Sequence, residues 1–162
     1  MTKKIITVFG ATGAQGGGLA HAILADKDSE FALRAVTRKP DSDAAKALAA
    51  AGAQIAVADM DDAASVQRAM EGAFGAFCVT NYWEHLSPEK ELAQAKAMAD
   101  GAAGARLKHV VWSTLEDTRA FFPADGKRMP VLMGKYNVPH FDAKGEANKF
   151  FSGRAPTTLV NT

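Results

Sequence analysis

Ile5-Ile6-Thr7-Val8-Phe9-Gly10-Ala11-Thr12-Gly13-Ala14-Gln15-Gly16-Gly17-Gly18-Leu19-Ala20 joins an apolar, β-branched run to glycines at positions 10, 13 and 16. Beyond them Leu19, Ala20, Ile23 and Leu24 recur at helical spacing. The pattern predicts a buried strand, a tight glycine turn and a helix. Gly10 lets the chain leave the strand through backbone angles that other residues avoid. Gly13 keeps the turn bare where a pyrophosphate would approach the backbone, and Gly16 permits close packing of helix on strand. The helix N-terminus adds free N–H donors and a partial positive charge. Gly10, Ala11, Thr12, Gly13, Ala14, Gln15 and Gly16 are therefore the expected phosphate cradle. A glycine-rich turn without a ligand is the alternative.

The chain of 162 residues fits one domain with room for a core. Hydrophobic residues at 48% beside charged residues at 23% are ordinary for a globular protein. A net charge of +1 makes no electrostatic case for nucleic acid or an anionic membrane as partner. The lone Cys78 cannot form an internal disulfide, which suits a reducing compartment. With no long apolar segment and no signal-peptide pattern, the cytoplasm is the expected location. No metal is expected.

Outward from the turn, strands and helices alternate. Strands are expected at 3–9, 31–37, 54–58, 73–80, 107–112 and 157–160. Helices are expected at about 16–26, from Asp41-Ser42-Asp43 to about Ala51, after Asp61 or Asp62 up to Gly72, from Ser87-Pro88-Glu89 to about Ala103, and from His140 to Phe151. Ala64, Val66, Ala69 and Met70 form the expected inner face of the third helix. Residues 115–137, with Pro123, Gly126, Pro130 and Gly134, read as irregular, either a mobile flap or a partner surface. Such alternation predicts an α/β Rossmann-like fold, a doubly wound parallel sheet of order 3-2-1-4-5-6 over residues 1–162. Its ligand crevice lies beyond the carboxyl ends of the strands. Thr162 falls at the end of the last strand, so a piece of a longer protein is expected.

An NAD-specific site carries an acid at the end of the second strand, whereas this chain reads Thr37-Arg38-Lys39. Arg38 offers a planar donor fork to a 2′-phosphate and Lys39 adds charge, so NADP(H) is the expected dinucleotide. A solvated basic turn is the alternative. Asp59 stands where an acid meets an adenine amino group, with Met60 against the ring; alternatively Asp59 merely begins a turn.

Val8-Phe9-Gly10-Ala11-Thr12-Gly13-Ala14-Gln15-Gly16-Gly17, Val36-Thr37-Arg38, Val79-Thr80-Asn81-Tyr82-Trp83-Glu84 and His140-Phe141-Asp142-Ala143-Lys144-Gly145-Glu146 together resemble the NmrA-like family of atypical short-chain dehydrogenases. The resemblance runs over nearly the whole chain, and the last two motifs are far more specific than the glycine spacing. It implies a bilobal protein whose smaller C-terminal lobe lies outside this chain. It also implies Arg38 on the phosphate of NADP(H), and Thr80, Asn81 and Tyr82 as ribose and pyrophosphate contacts. Ser42 departs from a sensor of the family that carries Lys there, which points to weaker phosphate affinity. For Trp83, simple packing is the preferred reading.

The resemblance frames the chemistry as well. Active short-chain dehydrogenases use a Ser at the end of the fifth strand and a Tyr-x-x-x-Lys on the following helix. The Lys holds the nicotinamide ribose and lowers the tyrosine pKa, and the Tyr moves the proton. Ser113 and Lys144 fit two of these positions, and His140 holds the third. Imidazole titrates near neutrality, yet it is shorter than a phenol and differently aimed. Two functions follow. One is an NADP(H)-binding redox sensor whose affinity for a regulatory protein partner changes with the dinucleotide, with a homodimer left open. The other is an NADPH-dependent reductase of a quinone or small carbonyl, with His140 and Lys144 handling protons.

Overall fold

The computed structural model describes residues 2–122 and 125–162, so Pro123 lies outside the described residues. Six strands, β1 (Lys4–Val8), β2 (Phe31–Thr37), β3 (Gln54–Val57), β4 (Gly75–Cys78), β5 (His109–Thr114) and β6 (Thr157–Asn161), form one parallel sheet of order β3-β2-β1-β4-β5-β6. Between them run α1 (Ala14–Ala25), α2 (Asp43–Ala50), α3 (Ala63–Met70), α4 (Pro88–Gly104) and α5 (Pro139–Phe151). The expected order is the observed one.

Successive residues of the central strands point to opposite faces and build two cores. Val8, Leu33 and Ala35 pack with Ala20 of α1 and Leu48 of α2. Phe9 and Val36 pack on the other side with Val66 of α3, Met98 of α4 and Ala147 of α5. Strand β4 accordingly carries no polar side chain, as a covered parallel sheet favours, and buried Thr7 of β1 is satisfied by donating to Ala69 O. Because β1 runs on to β2 on one side while β4 runs on to β5 on the other, the chain order reverses between β1 and β4, and a crevice opens at their carboxyl ends.

Local chemistry sets the element ends. Ser42, Asp62 and Ser87 cap α2, α3 and α4, their side-chain oxygens accepting from the N–H groups of Ala45, Ala64 and Lys90. The inner face of α3 differs from expectation at one place: Ala64 is exposed and Ser65 is buried. The Ser65 hydroxyl has Asp62 O at 2.8 Å and Asp59 O at 3.0 Å as acceptors for its proton and itself accepts from Asp59 N, so local partners satisfy it inside. Strand β5 starts two residues later than its apolar run. Leu107 N still donates to Ala102 O at 3.0 Å while Arg106 is left-handed at φ 55°, so Leu107 completes the exit of α4.

The stretch after β5 is fastened at both ends. Buried Asp142 of α5 accepts from Thr118 N and Oγ1 at 2.8 and 2.6 Å, and from Asn137 N and Val138 N at 2.7 and 3.0 Å. Arg119 pairs with Asp117 and Glu146. A Cβ on Gly145 would lie 2.9 Å from Asp117 Cα. Asp142, Gly145 and Glu146 of the fourth motif thus hold this segment against α5. Among the described residues no helix is long and apolar enough to cross a membrane.

Candidate functional site

Gly10 leaves β1 with φ +64°, and Gly13 N turns back to donate to Gly10 O at 2.8 Å. The turn then feeds directly into α1, whose first helical residue is Ala14 rather than Gly16. Gly13 is its N-cap and has no side chain, so the first-turn N–H donors are left without a side-chain cap. Gly16 lies against the turn so closely that a Cβ there would stand 2.6 Å from Phe9 O. The glycines shape a bare cradle backed by a helix N-terminus, the arrangement that suits a pyrophosphate.

The cradle opens into a cleft of about 780 Å³ across the ends of β1, β2, β3 and β4. Gly10, Thr12, Gly13, Ala14, Gln15 and Gly16 line its floor, Thr37, Arg38 and Lys39 one wall, and Met60, Thr80, Asn81 and exposed Trp83 part of the rest. These residues, from four separate stretches, are brought together as the doubly wound topology dictates. Ser42 and Glu84 also line the cleft. The Arg38 guanidinium is not free, since Nη2 donates to Glu84 Oε2 at 2.8 Å.

Six expected residues stand outside this lining. Ala11 is buried in the α1-side core. The Asp59 carboxylate accepts from Asp61 N at 3.0 Å, which is the turn-starting geometry weighed for it. Tyr82 is buried and donates through its hydroxyl to Leu86 O. Ser113 is one hydrogen bond behind the floor, donating to Gln15 Oε1 at 2.6 Å, with Thr162 Oγ1 3.2 Å away. His140 packs its ring 4.8 Å from that of Trp83 and 5.7 Å from that of Tyr82. Desolvation holds the His140 imidazole below its ordinary pKa, against the opposing pull of Glu91 and Asp142.

Lys144 points inward. Its Nζ donates to Thr80 Oγ1 at 2.9 Å, Thr80 O at 3.2 Å and Ser113 O at 3.4 Å, and lies 5.0 Å from the centre of the Trp112 ring. It ties the end of β4 to the end of β5. Desolvation pushes its pKa down, and buried Glu91 opposes that shift.

Sequence reasoning missed Glu91 and His85. Glu91 is 0% exposed; its Oε1 accepts from Thr80 Oγ1 at 2.5 Å and lies 3.5 Å from Lys144 Nζ. His85 Nδ1 accepts from Ser87 N, which places the ring proton on Nε2, 3.3 Å from Glu91 Oε2. The signal was present, because Glu91 occupies the inner stripe of α4 with Ala95, Met98 and Ala102. An acid in such a stripe must be paired.

Residues 2–151 match the model of the NmrA-like family. The NmrA-like family domain-containing oxidoreductase notA′ of Aspergillus versicolor is 41% identical over 125 residues, covering 74% of this chain and 34% of its own length. The NmrA-like family domain-containing oxidoreductase himF of Aspergillus japonicus is 35% identical over 160 residues, 97% of this chain and 45% of its own. The chain thus spans between a third and a half of the length of these relatives. In fold it is similar to NmrA, a negative transcriptional regulator solved in complex with NADP and with NAD, at a TM-score of 0.80, 24% identity, and coverage of 99% of this chain and 45% of that one. It is also similar to an NADPH-dependent quinone oxidoreductase of Escherichia coli solved with NADPH, at a TM-score of 0.67, 22% identity, and coverage of 97% and 48%.

Proposed function

The chain belongs to the NmrA-like family, and from that premise we propose that its cleft binds NADP(H) and that it serves as a redox sensor or regulator with little or no dehydrogenase turnover. One observation carries the binding: a glycine turn, a helix N-terminus without a side-chain cap and a wall of Thr37, Arg38 and Lys39 line one cleft. The turn and α1 offer backbone donors to the pyrophosphate. Arg38 and Lys39 face the adenosine end, where no acid at the end of β2 would receive a 2′-hydroxyl. Met60 gives the adenine an apolar surface.

The dinucleotide, when bound, would supply or accept a hydride. The chain's own proton-handling groups suit turnover poorly. His140 replaces the tyrosine, stays neutral near pH 7 because desolvation disfavours its charge, and is committed to aromatic packing. Lys144 spends its protons on Thr80 and Ser113 inside the fold. These residues hold the strand ends that frame the cleft, a role that fits reading the dinucleotide and passing its state to a protein partner.

Calorimetric titration tests the binding. NADPH should bind about ten- to a hundredfold more tightly than NADH, the worth of charge-assisted bonds to a phosphate, and Arg38→Ala should erase the difference. Equal affinities, unchanged in that variant, would sink the phosphate assignment. A second reading, reduction of a quinone or small carbonyl, is favoured by the oxidoreductase names of the relatives. NADPH oxidation with a quinone panel, abolished in His140→Ala while binding survives, would replace the sensor reading with that one.

A further inference from the structure

Glu84 sits on the cleft wall with both carboxylate oxygens turned to donors that line the same cleft. Oε2 accepts from Arg38 Nη2 at 2.8 Å, and Oε1 accepts from Asn81 Nδ2 at 3.4 Å. Arg38 follows β2 and Glu84 follows β4, so the pair reaches across the turn that leaves β1 between them. The two side chains remain 51% and 43% exposed, so solvent and an incoming anion both reach them. An ion pair this exposed is weak, and shifts an equilibrium by about fivefold or less.

We infer that Glu84 is an internal anion that holds Arg38 in place of a 2′-phosphate and thereby sets how strongly the cleft prefers a phosphorylated over an unphosphorylated adenosine ribose. The inference rests on Arg38 as the phosphate partner. A phosphate monoester carries about −1.5 to −2 charge at neutral pH and three acceptor oxygens, so it takes the guanidinium from a single carboxylate. The freed Glu84 then stands beside the new charge and is repelled by it. A 2′-hydroxyl carries no charge to offer Arg38, and the pair stays closed over it. Glu84 therefore lowers affinity for the phosphorylated ligand selectively.

The test compares adenosine 2′,5′-bisphosphate with adenosine 5′-monophosphate as probes, titrated into the full chain and its Glu84→Gln and Arg38→Ala variants. Glu84→Gln keeps the shape of the side chain and removes its charge. It should tighten the bisphosphate by about fivefold and leave the monophosphate within about twofold. The gain should shrink at about 1 M salt, where screening acts within about 3 Å. Bisphosphate affinity that is unchanged or weaker in Glu84→Gln overturns the inference. Arg38→Ala separates the two layers: if it weakens the bisphosphate while Glu84→Gln has no effect, only the role of Glu84 fails. If Arg38→Ala changes nothing, the phosphate assignment and the inference fall together.

Discussion

At Gly16 an added Cβ would meet Phe9 O at 2.6 Å, whereas at Gly10 it would meet only Val79 Cγ1 at 3.0 Å. The first neighbour is backbone and cannot yield without moving β1 or α1; the second is a side-chain methyl that can turn away. Gly10 carries instead a left-handed φ of +64°, which costs an L side chain about 1–2 kcal/mol. Both alanine variants should therefore be destabilised, Gly16→Ala by about 1–3 kcal/mol as an overpacked site. Urea unfolding checks the amounts, and dinucleotide titration should show the greater loss for Gly16→Ala because its adjustment displaces the cradle itself. The glycine spacing announced these positions in the sequence. It could not tell which glycine is needed for its φ and which for close approach, since that depends on where Phe9 and Val79 come to lie.

Helix α4 shows the same division between pattern and partner. Its cap, its proline at the first helical position and its apolar stripe are all legible, yet the stripe contains Glu91. That acid is buried because Thr80, His85 and Lys144, from three other segments, converge on it. Removing one member of a buried ion pair strands the other, at about 3–5 kcal/mol, whereas replacing both with apolar residues of similar size is near neutral. Glu91→Ala should fall in that range by urea unfolding, and Glu91→Leu combined with Lys144→Met should recover most of the loss. A double variant as unstable as the sum of its parts would show that Glu91 and Lys144 act separately. Helix α5 was likewise recognisable as a motif, but its Asp142 and Gly145 prove to secure the segment that follows β5.

For the whole molecule, carboxylates held by nearby cations shape the response to acid. The Lys90 ammonium, then Gln94, holds the Asp61 carboxyl below its ordinary pKa, and Arg119 does so for Asp117. Folded values below the unfolded one mean that these groups stabilise above about pH 4 and lose that contribution as pH falls through their folded values. His140 is also depressed, so between its folded value and about pH 6.5 the unfolded chain binds the extra proton, and stability falls as pH drops through that window. Melting temperature followed from neutral pH downward should fall in two stages. Asp117→Asn should flatten the acid stage and His140→Gln the upper one; a single stage untouched by either would contradict these shifts. The sequence by itself determined the number and order of the strands, the glycine turn, most caps and the basic wall of the cleft. The strands, turn, caps and basic wall follow from periodicity or short-range backbone chemistry that neighbours in the chain dictate, and the strand order from the winding that alternating strands and helices allow. Only the tertiary structure decided that Arg38 is held by Glu84, that Lys144 faces Glu91 and Thr80, and that Ser113 stands behind Gln15. Those pairings join residues 46 to 98 positions apart, and side-chain partners at such range are chosen by how strand ends meet at the reversal of chain order, which no local pattern encodes.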